Sequence, residues 1–124
     1  MTKSARDAVE AHMNAINQLD DEAIIASQNF PCVHIWPDGK TDYVATRDDF
    51  EPHDWDSILG SDWHHTVLDS AEEITRGSEA VSFRVTFSRR RADKSVIGSY
   101  EAIWIATNTG NGWGIQFRHG ALEL

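Results

Sequence analysis

Along the first eighteen residues the apolar side chains return every three or four positions. In SARDAVEAHMNAINQ, residues 4–18, Ala5, Ala8, Val9, His12, Met13 and Ile16 fall on one side of a helical wheel. That period predicts an amphipathic helix, with Ser4 as its N-cap. In LDDEAIIASQNF, Asp20 caps a short second helix whose first turn carries acids, where the helix dipole favours them. The period then changes from 3.6 to 2. NFPCVHIWP, residues 29–37, reads as a strand with Cys32, His34 and Trp36 on one face and Val33 and Ile35 on the other. DGK at 38–40 is a turn, and TDYVAT reads as a short return strand. In TRDDFEPHDWDSIL, Thr46 caps a helix that Pro52 interrupts, so one or two helical turns over an opening are expected.

The second half alternates throughout. WHHTVLDSAEEITR, EAVSFRVTFSRRR, VIGSYEAIWIAT and GWGIQFRHG are separated by GS, ADK and NTGNG. Four strands with short links predict an antiparallel meander. Helices segregated from such a sheet mean an α+β fold, here a strongly curved sheet wrapped on the first helix with a cavity at one end. The 124 residues suffice for one domain, 1–124, and not for two.

Charge and composition narrow the function. A net charge of −9 disfavours nucleic acid as a partner, because phosphate binding needs clustered cations. From Asp38 to Asp62 eight carboxylates face only Lys40 and Arg47. The basic run Arg89 to Arg91 sits at a hairpin tip, where a solvated loop and an anion-docking patch are both open readings. No apolar run approaches the roughly 20 residues that cross a bilayer, so no membrane partner is expected. The first residues lack the apolar core of a signal peptide, and a cytoplasmic location is expected. Cys32 is the single cysteine, which excludes an internal disulfide and a four-cysteine metal site.

At this point the chain resembles the nuclear transport factor 2-like superfamily, the cystatin-like cone shared by ketosteroid isomerases, SnoaL-like polyketide cyclases and scytalone dehydratase. The likeness rests on the helix AVEAHMNAINQLDDEAI, the strand and turn FPCVHIWPDG, the strand EAVSFRVTF and the hairpin YEAIWIATNTGNGWGIQFR, and it spans nearly the whole chain. It implies a pocket on the concave face of the sheet and a homodimer through the outer face. It also implies that Phe83, Val85 and Phe87 point inward, together with Glu101, Ile103 and Ile105 on the next strand and Ile115, Phe117 and His119 on the last. Arg84, Tyr100, Trp104, Gln116 and Arg118 would then point outward. Two departures bear on chemistry. Trp36 stands where ketosteroid isomerases carry their general-base aspartate, and Pro31 stands about where many SnoaL-like chains carry another.

The remaining titratable candidates are His34, Glu101 and His119, with Cys32 and Tyr43 nearby. A histidine suits general acid or base work, and a glutamate among apolar walls has its charged form disfavoured. The alternative is plain structure: a histidine bonded to its neighbour, and Glu101 paired with Arg84 or Arg118 across strands. Cys32 reads as a small buried hydrophobe or, less simply, as a nucleophile leaning toward His34. On a strand His64 and His65 face opposite sides, so no metal site is expected there, and no cofactor is expected. His12 and His53 read as surface or packing residues. GNGWG links two strands and is a turn, not a phosphate cradle.

Three functions follow. The first is binding of a small, largely apolar molecule among Cys32, Trp36, Tyr43, Phe83, Val85, Phe87, Ile103 and Phe117, with His34, Glu101 and His119 as polar groups. The second is a small isomerase, cyclase or dehydratase with His34 as general base and Glu101 or His119 as its partner. The third is a dimeric interaction or assembly module that takes no ligand. A filled cavity would exclude the first two.

Overall fold

A computed structural model of the chain describes residues 3–124. The N-terminal helices are α1 (Ala5–Gln18) and α2 (Asp21–Ala26), followed by strands β1 (Gln28–Ile35) and β2 (Thr41–Val44). A 3-10 turn at Arg47–Asp49 and a one-turn helix α3 (Trp55–Leu59) lead into β3 (His65–Arg76), β4 (Ala80–Arg90), β5 (Val96–Asn108) and β6 (Trp113–Glu123). The architecture is the expected α+β arrangement of helices on a curved sheet.

Local chemistry explains the helix ends. Ser4 Oγ accepts from the Asp7 amide at 3.1 Å, and Asp20 Oδ1 accepts from Glu22 and Ala23. Each satisfies an amide that the first helical turn would leave unpaired. Thr46 and Asp49 close a reciprocal capping box around the 3-10 turn.

The six strands run in the order β2-β1-β6-β5-β4-β3. Neighbours are antiparallel except β1 and β6, which run parallel and bring the N-terminal hairpin beside the end of the chain. The core lies between α1 and the concave face. Ala5, Ala8, Val9 and Met13 pack there on Val81, Phe83, Val85, Ala102, Trp104, Ala106 and Ile115. The predicted helical face is thus the buried one, and His12, one of its members, is fully buried inside it. Among the described residues no helix is long and apolar enough to cross a membrane.

Cross-strand register decides which side chains face α1, and it corrects the expected inside of β5 and β6. Phe83 is opposite Trp104, Val85 opposite Ala102, and Val81 opposite Ala106. Directly opposed residues share a face, so Ala102, Trp104 and Ala106 join the core while Glu101, Ile103 and Ile105 turn outward. Tyr100 likewise lies opposite Phe87 and stacks on it, ring centroids 5.6 Å apart. Trp104, expected outside, is only 4% exposed. On β6 the alternation itself breaks. Ala106 pairs with Ile115 and Ile105 with Phe117, so one step on β5 spans two on β6 and Gln116 is the extra residue of a β-bulge. Ile115 faces in, as expected, but beyond the bulge Phe117 and His119 face out and Arg118 faces in.

The bulge has its own hydrogen bonds. Gln116 Nε2 donates to the Pro31 carbonyl at 2.9 Å, and Gln116 Oε1 accepts from Thr107 Oγ1 at 2.7 Å. Pro31 has no amide hydrogen to offer the β1–β6 ladder, so the side chain of Gln116 serves where regular pairing lapses.

Candidate functional site

One row of residues crosses the concave face: Phe83, Trp104, Arg118, His34 and Asp42, each opposite the next on the adjoining strand. It runs from the core under α1 to the open edge of the sheet, and Arg118 stands at its middle because of the Gln116 bulge.

Arg118 is held from the helix side. Its Nη1 lies 3.3 Å from His12 Nε2, and His12 Nδ1 lies 2.7 Å from Ser27 Oγ. Ser27 donates its only hydrogen to the Ile24 carbonyl at 2.7 Å, so its oxygen must accept from His12 Nδ1. That places the His12 proton on Nδ1 and leaves the Nε2 lone pair to accept from Arg118. The ring is therefore neutral, in keeping with a pKa held well below the ordinary value by burial and then by the Arg118 charge. The edge of the same imidazole meets the Trp104 ring, centroids 4.9 Å apart.

His34 is fixed from the sheet. Its Nε2 donates to the Gly120 carbonyl at 2.9 Å, which leaves Nδ1 as an acceptor, and its ring lies 4.1 Å from that of Trp36. Burial, then the Arg118 charge, pushes its pKa down to about 4, so the ring is neutral at pH 7. Trp36 Nε1 in turn donates to Asp42 Oδ2 at 2.7 Å. Gly120 sits so close to β5 that a Cβ there would lie 2.8 Å from that of Ala102, and its φ of +135° suits glycine.

Two hollows meet at this row. An inner cavity of about 90 Å³ is walled by Met13, Ile16, Ile58, Leu59, Phe87, Ala102 and Trp104, with Trp36 and Trp55 beside them. Its charged and titratable members are His34, His53, Arg89, Arg118 and His119, with no carboxylate. A wider trough of about 390 Å³ lies on the other side, lined by Cys32, Tyr43, Asp42, Asp49, Glu51 and Lys40 among others. His34, His53 and Arg118 border both. Helix α3 supplies Trp55, Ile58 and Leu59 as a cover, the role expected of this segment. His53 stacks on Trp55 at 4.7 Å, and its pKa is lowered by burial and by Arg118.

Three residues that border the inner cavity each hold one polar atom that is sealed by protein and has no hydrogen-bond partner among the described residues: His53 Nδ1, Trp55 Nε1 and Arg118 Nε. No carboxylate lies within ion-pair distance of Arg118. Asp42, the acid whose charge it feels, is bound to Trp36 instead.

The predicted site residues separate accordingly. His34, Trp36 and Phe87 line the inner cavity, while Cys32 and Tyr43 line the trough, Tyr43 at 65% exposure. Burial raises the Cys32 thiol pKa, away from the thiolate that a nucleophile requires. Phe83 and Val85 are sealed under α1 and line neither hollow. Glu101 is on the outer face, paired with Arg84 at 2.9 Å, and Ile103 and Phe117 share that face. His119 borders the cavity wall through its place beside Gly120 but pairs with Ile103 and Ile35, outside the Arg118 row.

His64 and His65 do not diverge: His64 precedes β3, and the two Nδ1 atoms lie 3.0 Å apart. Among the described residues no three His, Cys, Asp or Glu side chains group as metal ligands. Sequence reasoning missed Arg118, Trp104, Trp55, His53 and His12. The available signal was the possible Arg84–Glu101 pair. With Arg84 outward, that pair turns Glu101 outward and Trp104 inward.

No family model matches the chain, and no curated protein does. Its backbone matches solved structures closely. A ketosteroid isomerase-like protein from Erwinia carotovora atroseptica superposes with a TM-score of 0.64 at 15% identity, over 93% of this chain and 90% of that one. A nuclear transport factor 2-like protein from Cytophaga hutchinsonii gives 0.69 at 13% identity, over 94% of each. A protein of unknown function with a cystatin-like fold from Nostoc punctiforme gives 0.73 at 10% identity, over 96% of this chain and 92% of that one. The fold is therefore the nuclear transport factor 2-like, cystatin-like fold. At these identities the likeness establishes architecture and leaves the function to the site.

Proposed function

We propose that this protein binds a small, largely apolar molecule in the inner cavity. The observation that supports this reading is a cavity with largely apolar walls that is bordered by Arg118, whose guanidinium has no ion pair among the described residues. Buried polar groups in folded proteins are almost always hydrogen-bonded, and ligand sites pair apolar walls with a few convergent polar atoms. Arg118 Nη2, unbonded among the described residues and not sealed as Nε is, is the donor open to an acceptor on a ligand.

The arrangement favours binding over catalysis by His34 as general base. A pKa of about 4 makes the ring a weak base at neutral pH, and Glu101, its suggested partner, is turned to the opposite face.

The five tryptophans supply the test. Trp36, Trp55 and Trp104 line the cavity, whereas Trp63 and Trp113 do not. Titration with indole or phenol should move the Trp36, Trp55 and Trp104 indole N–H resonances in a saturable way. Movement confined to Trp63 and Trp113, or none at all, would overturn the reading.

The outer face favours a second copy of this chain as partner. Ile35, Ile103, Ile105 and Phe117 are only partly buried and adjoin one another across β1, β6 and β5. A contiguous apolar sheet face of this kind is an interface composition. Sedimentation should give a dimer that Phe117→Glu converts to monomer; a monomeric wild type would refute this.

A further inference from the structure

We infer that the ligand of the inner cavity is an organic carboxylate, its headgroup seated on Arg118 and its apolar body against Trp104, Phe87 and Met13. The inference rests on the binding function proposed above and specifies its chemical class.

The first argument is the state of Arg118. Ionised side chains withdrawn from water are normally paired, because an unpaired charge is costly there, and Arg118 is part-buried. Arg118 has no ion pair among the described residues. Its one bond goes from Nη1 to a neutral His12, and its Nε is closed to solvent with no partner. Nη1 is engaged and Nε is sealed by protein atoms, so the accessible and unbonded Nη2 is the N–H group left for a carboxylate oxygen in a charge-assisted hydrogen bond.

The second argument is the composition of the lining. The chain holds 20 acidic against 11 basic residues, yet the inner cavity has Arg89 and Arg118 with His34, His53 and His119 and no carboxylate. Arg89 is already employed, its Nη1 on the Ile58 carbonyl at 3.2 Å and its guanidinium over the Tyr100 ring. Among the described residues neither arginine has an ion pair, and Arg118 is the one that stands at the middle of the concave row. Trp55 lines the same cavity.

The third is size and polarity. About 90 Å³ is several times the roughly 10–15 Å³ that holds one water, room for a single ring or a short chain. Apolar walls disfavour a small, heavily hydrated anion such as phosphate. His12 acts as a positioning residue, since its Nε2 lone pair, fixed by the Ser27 bond, holds Nη1 and leaves Nη2 unbonded.

The test compares benzoate with benzamide, of nearly equal shape and opposite headgroup character, by calorimetry and by the tryptophan resonances used above. Charge-assisted pairing predicts at least about tenfold tighter binding of benzoate. Arg118→Met should erase the preference while benzamide still binds. Should that variant fail to fold, Arg118→Lys keeps the charge without the guanidinium and should reduce the preference. Equal affinity for the two probes, or displacement of benzoate by equimolar inorganic phosphate, would overturn the carboxylate assignment and leave small-molecule binding intact. Failure of benzoate, benzamide, indole and phenol alike would overturn both.

Discussion

The inner cavity and the trough share His34, His53 and Arg118, yet their environments are opposite. The cavity is small, apolar and free of carboxylates; the trough is broad, polar and carries Asp42, Asp49 and Glu51. The difference follows from position on the sheet. The cavity lies where α1 and α3 close over the middle strands, so apolar area is removed from water there. The trough lies over the β1–β2 edge, where the acidic 38–62 segment passes and water screens its charges. A single arginine thus presents one side to a low-dielectric chamber and the other to an acidic, solvated one. What the contrast teaches is that the cavity side of Arg118 is distinguished by the carboxylates its lining lacks.

Substitutions on the two sides should differ most in stability. Trp104→Ala removes the floor of the cavity and should lower the unfolding free energy by about 3–5 kcal/mol, whereas Tyr43→Ala in the trough should change it by less than about 0.5 kcal/mol. Urea unfolding of both variants measures this, and similar losses would dissolve the contrast. A smaller effect is expected at the hinge between the hollows. Gly120→Ala drives a methyl into Ala102 at a positive φ and should cost about 1–3 kcal/mol while displacing the carbonyl that holds His34.

Acid should act on the same row. His34 titrates near 4 when folded and near 6.5 when unfolded, so between those values the unfolded chain binds more protons. Stability should therefore fall as pH drops from about 6.5 toward 4 and gain no further His34 contribution below that. His12 and His53, also lowered, add in the same direction. In His34→Gln the slope should be shallower; an unchanged slope would mean that the cavity does not desolvate this ring. The smallest effect is expected on the far face, where Glu101→Gln breaks a partly exposed pair with Arg84. Its cost should stay within about 1 kcal/mol, and benzoate affinity should not change. A lost affinity would return Glu101 to the site.

Much of the fold was legible because its signals are local. Ser4, Asp20 and Thr46 announce helix starts through hydrogen bonds to their own next turn, and the change of period from 3.6 to 2 after residue 28 reports the passage from helix to sheet. Cys32, His34 and Trp36 were legible as one face because β1 keeps its alternation to its end. The site was less legible, since alternation gives the two faces of a strand but not which one is inside. A one-residue slip exchanges them. On β5 an unbroken pattern was given the wrong sense. On β6 the pattern itself broke at Gln116.

By itself, then, the sequence determined the element order, the caps, the amphipathic face of α1 and the acidity of the 38–62 segment, all set by interactions within a few residues. Only the tertiary structure decided that Arg118 faces inward, that His12 bonds it and that no carboxylate among the described residues pairs with it. Those facts depend on strand register, on a bulge formed opposite Pro31, and on contacts between residues as far apart as 12 and 118. Such contacts arise from chain closure, which neither composition nor periodicity encodes at any one position.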